Sequence, residues 1–94
     1  MIAIAVRPRF SVGPVFITAN AEAKVSPEDV PSALQRHARG DWGELCADDM
    51  KQNERSLHDG GRLVSVYHDR RGVKFYIITE PDRSSTTVLL PEDY

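Results

Sequence analysis

The stretch from Arg62 to Leu90 most restricts what this chain can fold into. It reads as three short strands joined by two tight turns, and a helix ending in Gly60-Gly61 runs straight into it. From Arg62 to His68, Leu63, Ser65 and Tyr67 alternate with Val64 and Val66, the two-residue period of a strand. Asp69-Arg70-Arg71-Gly72 is a hairpin loop in which Gly72 supplies a positive φ. Val73 to Thr79 is β-branched and aromatic on both faces, which predicts a central strand covered on both sides. Glu80-Pro81-Asp82-Arg83 is a turn with proline at its favoured second position. Ser84 to Leu90 is the third strand, stopped by Pro91. Tight turns in chain order make the three antiparallel.

Helices precede this meander. Thr18 suits an N-cap for a short helix over Ala19–Lys24. Asp29 starts a second, with Pro31 tolerated in its first turn, running to Arg39 and stopped by Gly40. Its inner face is Val30, Ala33, Leu34 and His37. Trp42 is expected to cover the core at the helix junction beside Leu45, its Nε1–H bonded to a backbone carbonyl. The third helix spans Ala47 to Asp59, with an inner stripe of Cys46, Met50, Asn53 and Leu57. Asn53 is a polar residue in an apolar stripe, so its amide is expected to bond the backbone of a neighbouring loop. Gly60 and Gly61 cap and turn. Near the start, Met1–Val6 alternates and Val15–Ile17 is apolar. The fold expected is α+β, one domain over 1-94: a C-terminal three-stranded antiparallel meander packed against two or three helices, with a short N-terminal β-hairpin available to extend the sheet.

With 94 residues, 40% hydrophobic and 28% charged, the chain makes one ordinary globular core. Fourteen acids against twelve bases give a net charge of -2. That disfavours direct nucleic-acid binding, and is too balanced for a DNA mimic. The single Cys46 forms no internal disulfide, which suggests a reducing, cytoplasmic setting. The apolar start meets Arg7-Pro8-Arg9 too soon for a signal peptide. No apolar run approaches the roughly 18 residues of a membrane span.

The polar residues suggest contact rather than catalysis. His37, His58 and His68 have no zinc-site spacing, so neither a metal nor a cofactor is expected. Cys46 reads as a small buried residue. Gly60-Gly61 precedes a strand, not a helix, and so is no phosphate loop. No catalytic residues are assigned. The set not needed for the core is Arg62, Lys74, Glu80 and Arg83, to which Tyr67 and His37, and Arg70 and Arg71 in the hairpin, can be added. Residues 62–83 carry five bases and three acids, a local +2. Such a sheet face suits an acidic patch or a phosphate; ion pairs within the sheet compete for the same side chains.

Several phrases of the chain resemble a known family. They are Gly40-Asp41-Trp42-Gly43, Asn53 with Leu57 and Gly60-Gly61-Arg62, Ser65 with Tyr67, Ile77-Ile78-Thr79-Glu80, Asp82-Arg83-Ser84, and Thr86-Thr87-Val88-Leu89-Leu90-Pro91-Glu92. They are similar to short, uncharacterised bacterial proteins carried on plasmids, phages and integrated elements, some labelled type I restriction subunits. The resemblance covers more than half the chain and brings no catalytic residues with it. It implies a mobile-element accessory protein. The expectation is a non-catalytic protein that binds a host protein complex, inhibiting bacterial defence in the anti-CRISPR or anti-restriction manner. The alternative is a small ribonuclease toxin of the RelE or barnase kind, using Arg62, Tyr67, Lys74, Glu80 and Arg83. An uncapped sheet edge also leaves room for a homodimer.

Overall fold

The computed structural model describes residues 8–94. The expected strand at Met1–Val6 therefore lies outside the described residues. The elements run β1 (Val15–Ile17), α1 (Ala19–Lys24), α2 (Asp29–Ala38), α3 (Ala47–Asp59), β2 (Leu63–His68), β3 (Lys74–Thr79), β4 (Thr86–Leu89) and a closing 3-10 turn (Pro91–Asp93). The fold is α+β, with three helices and a four-stranded mixed sheet ordered β1-β4-β3-β2.

The three C-terminal strands pair antiparallel in sequence order, with Ser65 opposite Ile77 and Ile77 opposite Val88. The sheet is nevertheless not the strictly antiparallel one expected. β1 adds to β4 in parallel, with Phe16 beside Thr87. Its partner strand lies far away in sequence, and α1 follows β1 at once, so local periodicity could not reveal the pairing.

Local chemistry sets the ends of the elements. Thr18 caps α1 by accepting from the Ala21 amide. Gly60 adopts φ 79° and closes α3 in the left-handed conformation. Pro31 sits at the third position of α2, where no intrahelical N–H is needed.

One sheet face meets α1 and α2. Tyr67, Phe75, Ile77, Val88 and Leu90 pack there against Ala21, Val25 and Ala33 to form the core. α3 instead packs against β2. β3 is covered on both faces, as its two-sided apolar pattern predicts, although the face opposite α1 and α2 is covered by the C-terminal turn rather than by a helix laid across it. On that face the C-terminal turn packs against β3, and Ile78 of β3 and Leu89 of β4 remain only 5% and 8% exposed. Asp93 fastens that turn, accepting from Thr18 Oγ1 at 2.6 Å and Asn20 Nδ2 at 2.7 Å.

Three further expectations are corrected. Cys46 is exposed, not buried. It is the N-cap of α3, with extended φ and ψ, so the helical stripe does not continue through it. Trp42 is buried as expected, but its Nε1–H donates to the Glu54 carboxylate at 3.0 Å rather than to a backbone carbonyl. Arg9 holds the same carboxylate with two bonds. Asn53 does bond backbone, but in strand β2 rather than in a loop. Its Nδ2 donates to Val64 O at 2.7 Å, and its Oδ1 accepts from Val64 N at 3.2 Å.

Candidate functional site

The largest opening on the sheet face opposite α1 and α2 is a groove of about 680 Å³ between α3 and the C-terminal turn. Val64, Val66 and Tyr76 form its floor, while Asp49 and Gln52 of α3 stand on one wall and Arg62 and Tyr94 on the other. Strand alternation puts the floor residues on one face: Val64 opposes Ile78, and Val66 opposes Tyr76. The Tyr94 ring meets Tyr76 edge-on at 6.0 Å. Arg62 lies over the Tyr94 ring and donates to its hydroxyl at 2.8 Å. A smaller depression beyond Tyr94, lined by Ile78, Glu80, Thr87 and Leu89, continues the same face.

The six residues read as binding candidates separate in space. Arg62 lines the groove, and Lys74 lies on the same face with its ammonium near the Tyr76 ring. Among the described residues neither makes an ion pair. The other four are engaged internally. The Tyr67 hydroxyl donates to Asp41 O, and burial pushes its ionisation up to about 12. Arg70 of the hairpin loop forms a multidentate pair with Asp29 at the start of α2, which holds that carboxyl below its ordinary range. Arg71 donates to Lys24 O. Arg83 lies under the β3–β4 turn and donates to four carbonyls, those of Gly61 (2.6 Å), Ser56 (3.0 Å), Glu80 (3.1 Å) and Pro81 (3.2 Å). Tyr67 faces the helices while Lys74 faces the groove, so the set named for ribonuclease chemistry lines no common pocket.

Beneath the helices lies a buried polar chain that sequence patterning gave no reason to join. His37 Nδ1 meets Ser65 Oγ at 2.5 Å and His37 Nε2 meets Thr79 Oγ1 at 2.8 Å. Thr79 Oγ1 lies 2.7 Å from Thr86 Oγ1, which donates to Val12 O. The terminal carbonyl can only accept, which fixes every proton upstream. Thr86 spends its hydrogen on Val12, so Thr79 donates to Thr86 and accepts from His37. His37 therefore carries its proton on Nε2 and accepts from Ser65 at Nδ1. His37, Ser65, Thr79 and Thr86 are all fully buried, and the Phe10 and Trp42 rings close over the imidazole. The Ser65–His37 pair resembles a nucleophile with its base, but no substrate reaches it in this enclosure. Burial, with the Arg83 charge added, pushes His37 down to about 4, so it is neutral near pH 7.

Groups of three or more metal-ligating side chains are absent among the described residues. No described helix is long and apolar enough to cross a membrane. Comparison of the chain with protein-family models, curated proteins and solved structures finds no match.

Proposed function

We propose that the chain is a non-catalytic accessory protein of a mobile element that binds a host protein complex through the sheet face opposite α1 and α2, in the manner of an inhibitor of bacterial defence. The mobile-element setting rests on the resemblance; the surface rests on the groove. The observation that carries the reading is the apolar floor of Val64, Val66 and Tyr76 beside Arg62, a base with no ion pair among the described residues. An apolar floor with a polar rim is the anatomy of a protein contact. The occupant that fits is a protein loop carrying an apolar side chain next to a carboxylate, which Arg62 receives as a charge-assisted partner. Arg70, Arg71 and Arg83 are already committed to the fold, which leaves Arg62 and Lys74 to serve contact.

Affinity capture from a host lysate tests this, with wild type run beside Arg62→Glu and Tyr76→Ala. The wild type is expected to retain a defence or nucleic-acid-processing complex that both variants lose, and to raise plaque counts in a host with active defence. A wild type that retains nothing and leaves plaque counts unchanged overturns the reading. Growth arrest with RNA cleavage on expression would favour the ribonuclease alternative instead.

A further inference from the structure

We infer that a second copy of this chain pairs with the outer edge of β1, joining two four-stranded sheets into one across a two-fold axis at Phe16.

The two edges of the sheet differ. The outer edge of β2 is closed by its own chain. Asn53 satisfies Val64, while Val66 donates to Trp42 O and accepts from Glu44 N. The outer edge of β1 has no such closure among the described residues. In the parallel ladder to β4, Thr86 donates to Pro14 O and Thr18 donates to Val88 O. The alternation of a strand then turns the N–H and C=O of Phe16 inward and those of Val15 and Ile17 outward. Val15, Phe16 and Ile17 are 44%, 57% and 38% exposed, and apart from Tyr94 they are the exposed large hydrophobics of the described residues.

This edge is complementary to itself. Set antiparallel about Phe16, Val15 opposes Ile17 of the second copy, and each such pair exchanges both N–H···O bonds. The two Phe16 rings then meet as a close, non-hydrogen-bonded pair, the arrangement in which aromatic side chains interact most strongly across strands. Charge also favours a second copy. Between Arg9 and Glu22 no residue is charged, in a chain that is 28% charged overall. Exposed edges ordinarily carry lysines or inward charges that prevent such pairing. Two chains of net charge -2 meet here without like-charge contact. A three-residue strand gives only about 10 Å of ladder, so the dimer is small and in exchange with monomer. Phe16 lies on β1, at the opposite edge of the sheet from Arg62 and the floor of the groove, so variants at Phe16 and at Arg62 test the dimer and the binding reading separately.

Sedimentation of the full chain across a wide concentration range is the test. The mass is expected to rise from 10.5 kDa towards double, and Phe16→Lys is expected to stay monomeric with an unchanged circular dichroism spectrum. In a Cys46→Ser background, Phe16→Cys is expected to cross-link on mild oxidation, and Val15→Cys, which opposes a different residue, is not. This pair of variants decides the matter even if Phe16→Lys folds poorly. A wild type that stays monomeric throughout overturns the inference. Protected Val15 and Ile17 amides would then mean that the edge closes within one chain, and unprotected amides that it awaits a different partner. Equal cross-linking of the two cysteine variants overturns it as well.

Discussion

His37 Nε2 lies 2.8 Å from Thr79 Oγ1, and because Thr79 must donate onward to Thr86, the imidazole is the donor in this contact. A fully buried histidine is thereby held neutral in one tautomer. Its acidity follows from the same enclosure, which lowers it to about 4. The unfolded chain has an ordinary histidine near 6.5 and binds more protons than the native state between those values. Stability from this group is fully present above pH 6.5 and is lost as the pH falls through 4, about 3 kcal/mol in all. Urea unfolding followed from pH 7 to pH 4 should show that decline. His37→Phe should be less stable at pH 7, because Ser65 and Thr79 lose their partner, yet lack this share of the slope. Nitrogen NMR of the wild type should show Nε2 protonated and Nδ1 bare at neutral pH.

Asn53 closes the edge of β2 with both ends of its amide. Asn53→Ala leaves the Val64 N–H and C=O without their partner and should cost about 1–3 kcal/mol in denaturant unfolding. Asn53→Asp should be worse than alanine at pH 7, since a carboxylate offers no donor to Val64 O. Its deficit should shrink as the pH falls below about 4 and the carboxyl regains a proton. An aspartate variant as stable as wild type at pH 7 would show that the donor half of the contact contributes nothing.

Thr18, Gly60, Gly72 and Pro81 announced the boundaries they form because each acts through the backbone of one or two residues. Thr18 caps α1, Gly60 and Gly72 take positive φ, and the turn after β3 closes with Arg83 N bonded to Glu80 O. The limits of α3 were legible for the same reason. What stayed hidden depends on partners distant in the chain. Nothing local in Val15–Ile17 names Thr86–Val88 as its neighbour. Ser65, Thr79 and Thr86 look like ordinary strand residues until the sheet aligns them under His37. Four of the six candidate contact residues, Tyr67, Arg70, Arg71 and Arg83, bond to carbonyls and carboxylates of the same chain that no linear pattern reveals. Tyr94 and Tyr76, which shape the groove with Arg62, carried no signal beyond being aromatic.

Arg83 combines an unfavourable backbone with a favourable side chain. It has φ 60°, the one positive value among the described non-glycine residues, while its guanidinium gathers four carbonyls from α3's end and the β3–β4 turn. Arg83→Ala should lose about 2 kcal/mol by removing those charged hydrogen bonds. Arg83→Gly loses the same bonds but relieves the left-handed strain, and should recover about 1 kcal/mol relative to alanine. Arg83→Lys offers one compact ammonium where a planar fork spans several acceptors, and should fall between wild type and alanine. Chemical denaturation of the three variants gives the order, and a glycine variant less stable than alanine would contradict it.

Thr18 joins the two ends of the described fold. Its Oγ1 accepts from the Ala21 amide at 3.2 Å and donates to Asp93 at 2.6 Å. The first contact caps α1; the second holds down the C-terminal turn that shields Ile78 and Leu89. Thr18→Ala should therefore cost about 1–2 kcal/mol, the range for losing a hydroxyl cap, and should also loosen the turn. Asp93→Asn separates the roles. It keeps the cap but replaces a carboxylate that accepts from Thr18, Asn20 and the Leu90 amide. Amide exchange at Leu90 and Tyr94 should quicken in both variants, whereas exchange within α1 should quicken only in Thr18→Ala. Faster exchange in α1 of Asp93→Asn would mean that the helix depends on the C-terminal turn rather than on its own cap.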